Sequence, residues 1–358
     1  MTDSLEDKRR EIDELDSSLV KLLHKRAELA KTIGRAKQED GRPVWAPVRE
    51  AEVLAAVSLG AAGLFPKEAL NAVFREIISA CRRMETDEKV GILGEKYGWI
   101  HDAARRRFGI SAELAPMTHA EEILHSLGRR DIGYGFFALN AGHPDLPMIL
   151  ENFLGRHLFI TSETRYRRGF SLVSRGSGDL SGLEEVFITA EVLGWLRRWA
   201  VSLSYPVKIS ICRSMEEVVE NLVEGRQVAG VVPQNLAKHM DMHILQTGLI
   251  PVEELPVRCF TISTKPFEGT LEKGMRGTLL LSVPDLPGAL LAALAPIRDA
   301  HLDVASIETF KFHGKAWDVL FWVDFSIPTD AAVLEHLLKA VETKCRIFAF
   351  LGAYPVLE

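Results

Sequence analysis

Arg26 and Lys37 stand eleven residues apart, a separation that returns them to nearly one face of an α-helix, roughly 16 Å apart along its axis. Arg9 precedes Arg26 by seventeen residues and so points about 100° away from it, which suits it to a different site across a dimer interface. Three cations placed in this way point to a small dianionic ligand. Arg49, Glu50 and Glu85 follow on the next two helices and add a further cation and two carboxyls. A guanidinium grips a carboxylate with a two-pronged fork, whereas a compact ammonium suits a single oxygen.

The elements that must position these groups follow from periodicity. Leu5, Ile12, Leu15, Leu19, Leu22, Leu23, Ala30 and Ile33 keep close to the i, i+3, i+4, i+7 spacing of an amphipathic helix, from Leu5 to about Lys37. Such a helix is roughly 50 Å long. That exceeds the width of a domain of about 90 residues, so part of it must find cover on a partner chain. Gly41 and Pro43 break the loop Gln38–Ala46, and Pro47 opens a short helix at about Val48–Leu59. A turn at Gly60, Gly63 and Pro66 leads to a third helix, about Pro66–Glu88. Its broad apolar face carries Leu70, Val73, Phe74, Ile77, Ile78 and Cys81.

At 358 residues and 47% hydrophobic, the chain has material for two or three globular domains. A net charge of −6 argues against a nucleic-acid partner. Cys81, Cys212, Cys259 and Cys345 are scattered without metal-ligand spacing and read as reduced thiols of a cytoplasmic protein. The first residues, MTDSLEDKRREID, lack the apolar core of a signal peptide. Thr278–Ile297 is the most apolar long stretch, but Asp285 and its prolines disqualify it as a membrane span.

The runs LEDKRREIDELDSSLVKLLHKRAELAKTIGRAK, RPVWAPVREAEVL and VFREIISACRRMETDEK make residues 1–88 resemble the all-α chorismate mutase family. The likeness is strongest to the mutase module of bifunctional chorismate mutase–prephenate dehydratases. The resemblance implies an intertwined homodimer with two sites, each built from both chains. By it, Arg26 and Arg49 bind the substrate carboxylates and Arg9 reaches in from the partner helix. Lys37 donates to the ether oxygen of the breaking bond, and Glu50 accepts from the ring hydroxyl. Glu85 takes the second ether-oxygen position, where some members have Gln, and Cys81 falls where a small polar residue approaches a carboxylate. Ala46 replaces an Asp of some members, at a contact made by the backbone.

The implied reaction, chorismate to prephenate, is a pericyclic rearrangement that needs no nucleophile, metal or cofactor. Its catalyst must hold the enolpyruvyl arm over the ring and set donors where charge develops on the ether oxygen. Glu85 can donate only when protonated. Its pKa should therefore be raised and activity should fall toward alkaline pH.

Residues 89–270 show a βαβ rhythm that predicts two α/β lobes with a return strand at Val257–Ser263, a periplasmic-binding-protein-like domain. In order and spacing the segment resembles a prephenate dehydratase domain. Its motifs depart from that family. Gly94 and His101 remain of a GPEGTFSH turn, Phe136–Gly142 lacks the Glu-Asn-Ser of VVPIENS, and Arg258 aligns with the threonine of the TRF motif. Dehydration needs help for the leaving hydroxyl, so the expectation is an inactive domain. His101 reads as structural, and Arg165, Arg167 and Arg168 as a basic cluster near the lobe crossing.

Residues 271–358 predict the order βαββαβ of a ferredoxin-like α+β domain, with a turn at His313-Gly314. The turn Pro287-Gly288-Ala289-Leu290 and the run Ser306–Thr309 make it resemble an ACT regulatory domain. That resemblance implies an amino-acid site at Gly288, Ala289, Leu290 and Glu308, with phenylalanine as effector, although the family's ESRP has become Glu308-Thr-Phe-Lys311.

The sequence thus reads as a multidomain cytoplasmic chorismate mutase of aromatic amino acid biosynthesis, a homodimer or larger. It is expected to need no cofactor or metal and to have no nucleic-acid or membrane partner. Two readings compete: a working bifunctional mutase–dehydratase that makes phenylpyruvate, and a non-catalytic metabolite sensor.

Overall fold

The computed structural model describes residues 2–40, 45–60, 63–138, 146–155, 158–176, 180, 182–201, 206–222, 227–248, 257–267, 269–311 and 319–357. Two compact units result: Met1–Glu88 with Phe108–Glu113, and Lys89–Arg107 with Leu114–Glu358.

The first unit is helical, with α1 (Thr2–Glu39), α2 (Pro47–Leu59) and α3 (Lys67–Glu85). Pro47 opens α2 where its missing N–H costs nothing. α3 stops at Glu85, short of the expected Glu88, because Thr86 turns extended and its hydroxyl accepts the Glu88 N–H at 3.1 Å. Gly34 lies buried inside α1, and a Cβ there would fall 2.7 Å from the Glu85 Cβ. Glycine is what lets α1 and α3 come together at this level. The N-terminal part of α1 is uncovered: Leu5, Ile12, Leu15, Leu19 and Leu22 of its apolar stripe are all more than half exposed. The loop breakers Gly41 and Pro43 lie outside the described residues.

The second unit opens with β1 (Val90–Leu93), α4 (Trp99–Phe108), β2 (Leu114–Met117), α5 (Ala120–Arg129), β3 (Tyr134–Ala138) and α6 (Leu146–Gly155). β1 lies parallel between β2 and β3. β4 (Phe159–Tyr166) leads to a second lobe of β5 (Phe170–Ser174), β6 (Glu185–Thr189), α7 (Leu193–Val201), β7 (Lys208–Cys212), α8 (Met215–Asn221), β8 (Val228–Pro233), α9 (Gln234–His239) and β9 (His243–Thr247). The lobe's sheet runs β7-β6-β8-β5-β9. β10 (Val257–Ser263) returns to the first lobe, antiparallel to β3 and β4. The sequence pattern does not predict β4, β5, β9 or α6. β4 is the instructive case: Ile160, Thr161, Ser162, Glu163, Thr164 and Tyr166 are all buried, so no alternation marks it as a strand. Asn140–Gly142 of the expected motif lie outside the described residues.

β11 (Arg276–Ser282), α10 (Ala289–Asp299), β12 (Val304–Lys311), β13 (Val319–Ser326), α11 (Ala331–Glu342) and β14 (Ile347–Tyr354) follow in the order βαββαβ. They form the antiparallel sheet β12-β13-β11-β14, and the expected His313-Gly314 turn falls outside the described residues. Alternate residues of β11 and β13 serve two cores. Leu279, Leu281, Val323 and Phe325 meet α11 at Leu334, Leu337 and Val341, while Leu280, Leu320 and Trp322 pack with Phe153 and Phe260 of the first lobe. β15 (Val356–Leu357) adds to the first lobe's sheet, whose order is β15-β4-β10-β3-β1-β2. Among the described residues no helix is long and apolar enough to cross a membrane.

Candidate active site

A cavity of about 270 Å³ opens in the helical unit. α1 lines it with Arg26, Ala30, Ile33 and Lys37, successive positions of one helix face. α2 supplies Arg49 and Glu50, and α3 supplies Ile78, Cys81, Arg82 and Glu85. Of the residues the sequence assigns to this site, Arg26, Lys37, Arg49, Glu50, Cys81 and Glu85 are brought together. Arg9 is not; it sits on the exposed part of α1, outside the lining.

The polar partners define what the cavity offers. Glu50 accepts from Arg82 Nε at 2.8 Å on one oxygen and from Trp45 Nε1 at 3.1 Å on the other. Arg49 is largely exposed and donates to Glu52 at 2.8 Å. Such an i, i+3 pair is worth only a few tenths of a kcal/mol, so a ligand carboxylate can displace it. Burial pushes the Glu85 carboxyl above its ordinary value; Glu50 adds to the rise, while Lys37, Arg82 and Arg26 oppose it. Four cations therefore face two carboxyls, one of which tends to keep its proton. The balance favours a small dianion, with Glu85 as an extra donor.

Sequence reasoning passed over Arg82, Trp45 and Gly34. The available signal for Arg82 was its position three residues before Glu85, which places both on one face of α3.

Arg258, which aligns with the threonine of the motif in the two-lobed domain, has a structural setting of its own. Its guanidinium is largely buried among acidic partners. It lies 3.0 Å from Glu163, 2.7 Å from Asp324 and 3.4 Å from Glu308, and Arg276 completes the cluster 2.8 Å from Glu163. Glu163 and Asp324 are fully buried, so both arginines are needed as counter-ions. Buried hydroxyls also lie on the strands: Ser162 donates to Thr261 at 3.1 Å, and Thr164 and Ser171 are buried without a hydrogen-bond partner among the described residues.

The basic cluster at the lobe crossing also divides. Arg165 approaches Glu163 at 3.7 Å, while Arg168 stands over the Trp99 ring at 5.2 Å. His101 meets Tyr97 edge-on.

At the expected effector turn, Gly288 caps α10 with φ +80°, a conformation that favours glycine, and Ala289 and Leu290 begin the helix. Glu308 is engaged by Arg258 and its carboxyl is raised by burial.

The chorismate mutase type II family matches residues 8–86, and the prephenate dehydratase family matches residues 90–266. The bifunctional chorismate mutase/prephenate dehydratase of Aquifex aeolicus (strain VF5) is 28% identical, over 99% of this chain and 98% of its own. Two solved structures share the fold of the second unit. The prephenate dehydratase of Arthrobacter aurescens in complex with L-Phe has a TM-score of 0.62 at 18% identity, covering 75% of this chain and 89% of that one. GqqA, described as a novel type of quorum quenching acylase, has a TM-score of 0.62 at 19% identity, covering 75% of this chain and 98% of that one. On its two matched families, taken in this order along one chain, the protein belongs to the chorismate mutase–prephenate dehydratase family.

Proposed function

We propose that the helical unit converts chorismate to prephenate. The observation that carries this reading is the convergence of Arg26, Lys37, Arg49, Glu50 and Glu85 from three helices on one cavity. Arg26 and Arg49 bind the carboxylates, Lys37 and protonated Glu85 donate to the ether oxygen, and Glu50 accepts from the ring hydroxyl. No group in this scheme is a nucleophile, and the work is positioning and charge stabilisation. A second copy of the chain supplies Arg9 and covers the apolar stripe of α1. The apolar groove between α1 and α3, lined by Leu23, Ala27, Val73, Ile77 and Met84, supports this dimer.

The two-lobed domain is better read as a working prephenate dehydratase than as the inactive scaffold its motifs suggest. A relative alike over nearly its whole length is named for both activities. Arg258 is engaged in the ion-pair cluster, so in a working domain the hydroxyl that helps the leaving group comes from another residue. The βαββαβ module serves as an amino-acid-binding ACT domain, with the Gly288 turn at the ligand and phenylalanine as effector. The Arthrobacter dehydratase, solved with L-Phe, supports that choice. The exposed Leu286 and Leu291 beside the turn suit contact with a second module. The enzyme would work in the cytoplasm.

The test is to supply chorismate to the purified chain and identify the product, with and without phenylalanine. Phenylpyruvate supports both activities. Prephenate as the end product supports the mutase alone. Unconsumed chorismate overturns the proposal.

A further inference from the structure

We propose that Arg82 is a positioning residue for Glu50, fixing its carboxylate in the cavity as a preformed acceptor for the substrate. This rests on the mutase reading above. Arg82 and Glu50 are both mostly buried, at 14% and 13% side-chain exposure. Arg82 Nε donates to one Glu50 oxygen at 2.8 Å, and Trp45 Nε1 donates to the other at 3.1 Å. A carboxylate has about four acceptor sites, so these donors leave room for a substrate hydroxyl. A glutamate fixed in advance loses less rotamer freedom when the substrate binds.

Arg82 is itself braced. Its Nη1 donates to the Phe108 carbonyl at 3.2 Å, and the Phe108 ring packs against Trp45 at 5.2 Å, so one residue steadies both donors. Phe108 begins a strap that lies on α3. The Ile110 N–H donates to Glu76 at 2.9 Å, and Arg83 pairs with Glu113 at 3.0 Å. Gly109, at φ +79°, sits where a Cβ would come within 2.4 Å of the Ser79 side chain. The clamp on Glu50 thus reaches beyond the three helices to Phe108 and the residues that follow it.

The test uses the full-length chain and begins with wild-type turnover of chorismate. Arg82→Met should lower kcat/KM on the order of 10²-fold while far-UV circular dichroism and oligomeric state stay unchanged. In a Glu50→Gln background the same substitution should cost less than about 3-fold, because its effect passes through Glu50. Arg82→Met should also move the alkaline limb of the kcat profile to higher pH. Arg82 opposes the rise in the Glu85 carboxyl that burial and Glu50 cause, while Lys37 and Arg26 on α1 remain. Arg82→Lys keeps the charge, so the limb should stay and kcat/KM should fall about 10-fold.

An equal loss with and without Glu50, together with an unmoved limb, would reduce Arg82 to a structural role and overturn the proposal. If Arg82→Met does not fold, Trp45→Phe removes the other donor, and its loss should likewise vanish in the Glu50→Gln background; a loss that persists there overturns the proposal. A wild-type chain that leaves chorismate untouched removes the mutase reading and this inference together.

Discussion

Gly34 of α1 and Glu85 of α3 meet so closely that a methyl group at position 34 would lie 2.7 Å from the Glu85 Cβ and 2.9 Å from its Cα. Alanine is the better helix former by about 1 kcal/mol, yet here the contact must win, because its partner is the stem and backbone of a residue in the cavity. Gly34→Ala should lower stability by roughly 1–3 kcal/mol. It should also cost on the order of 10²-fold in turnover by shifting Lys37, one helical turn further on. Thermal melting and chorismate consumption read the two effects. A more stable, fully active variant would show that the helices have room to spare.

Activity should fall as pH rises through the folded-state pKa of Glu85. Burial raises that carboxyl above its usual range, and only the protonated form donates. The sign for stability agrees. A raised carboxyl binds more protons folded than unfolded, so its contribution is present at low pH and lost as pH climbs through the raised value. Glu85→Gln should flatten the kcat profile; an unchanged alkaline limb would mean that another group sets it.

Arg258→Met should destabilise the second unit by about 3–5 kcal/mol, since it leaves Glu163 and Asp324 buried with too little positive charge. Urea denaturation checks this. A change below about 1 kcal/mol would make the cluster a spectator.

Leu19→Glu, in the exposed stripe of α1, should break the proposed dimer and abolish mutase turnover together. Sedimentation velocity and chorismate consumption test the pair. A wild-type chain that sediments as an active monomer would refute a shared site.

The helical unit was largely legible because its signals are local. The spacing in α1, Pro47 at the start of α2 and Gly60 after it are written within a few residues of where they act. The cavity residues on these helices could be placed as soon as the helices were. The seam around Glu163 could not. Thr161, Ser162, Glu163 and Thr164 look like a solvated stretch, but β4 lies between β15 and β10, and Arg258 and Arg276, roughly a hundred residues away, neutralise Glu163 there. The ion-pair partners of Arg258 are hidden for the same reason, since a motif alignment carries no information about which partner a side chain will find. Arg82 was hidden differently. An arginine next to a second arginine near a helix end looks like an ordinary dipole-facing surface charge, and only the return of α2 brings Glu50 to it.

The two-residue strand β15 has a mechanical meaning. Val356 and Leu357 pair with Glu163 and Thr164 of β4, and the Glu163 N–H donates to the Pro355 carbonyl at 3.0 Å. The side chain of the same Glu163 is tied to Arg276, the first residue of β11. The βαββαβ module is therefore pinned to β4 both where it begins and where it ends. These two ties meet at one residue, Glu163, and they border the shared core in which Leu280, Leu320 and Trp322 pack with Phe153 and Phe260. A shift of that module would therefore strain a charged, buried residue of β4, the strand that leads into the second lobe.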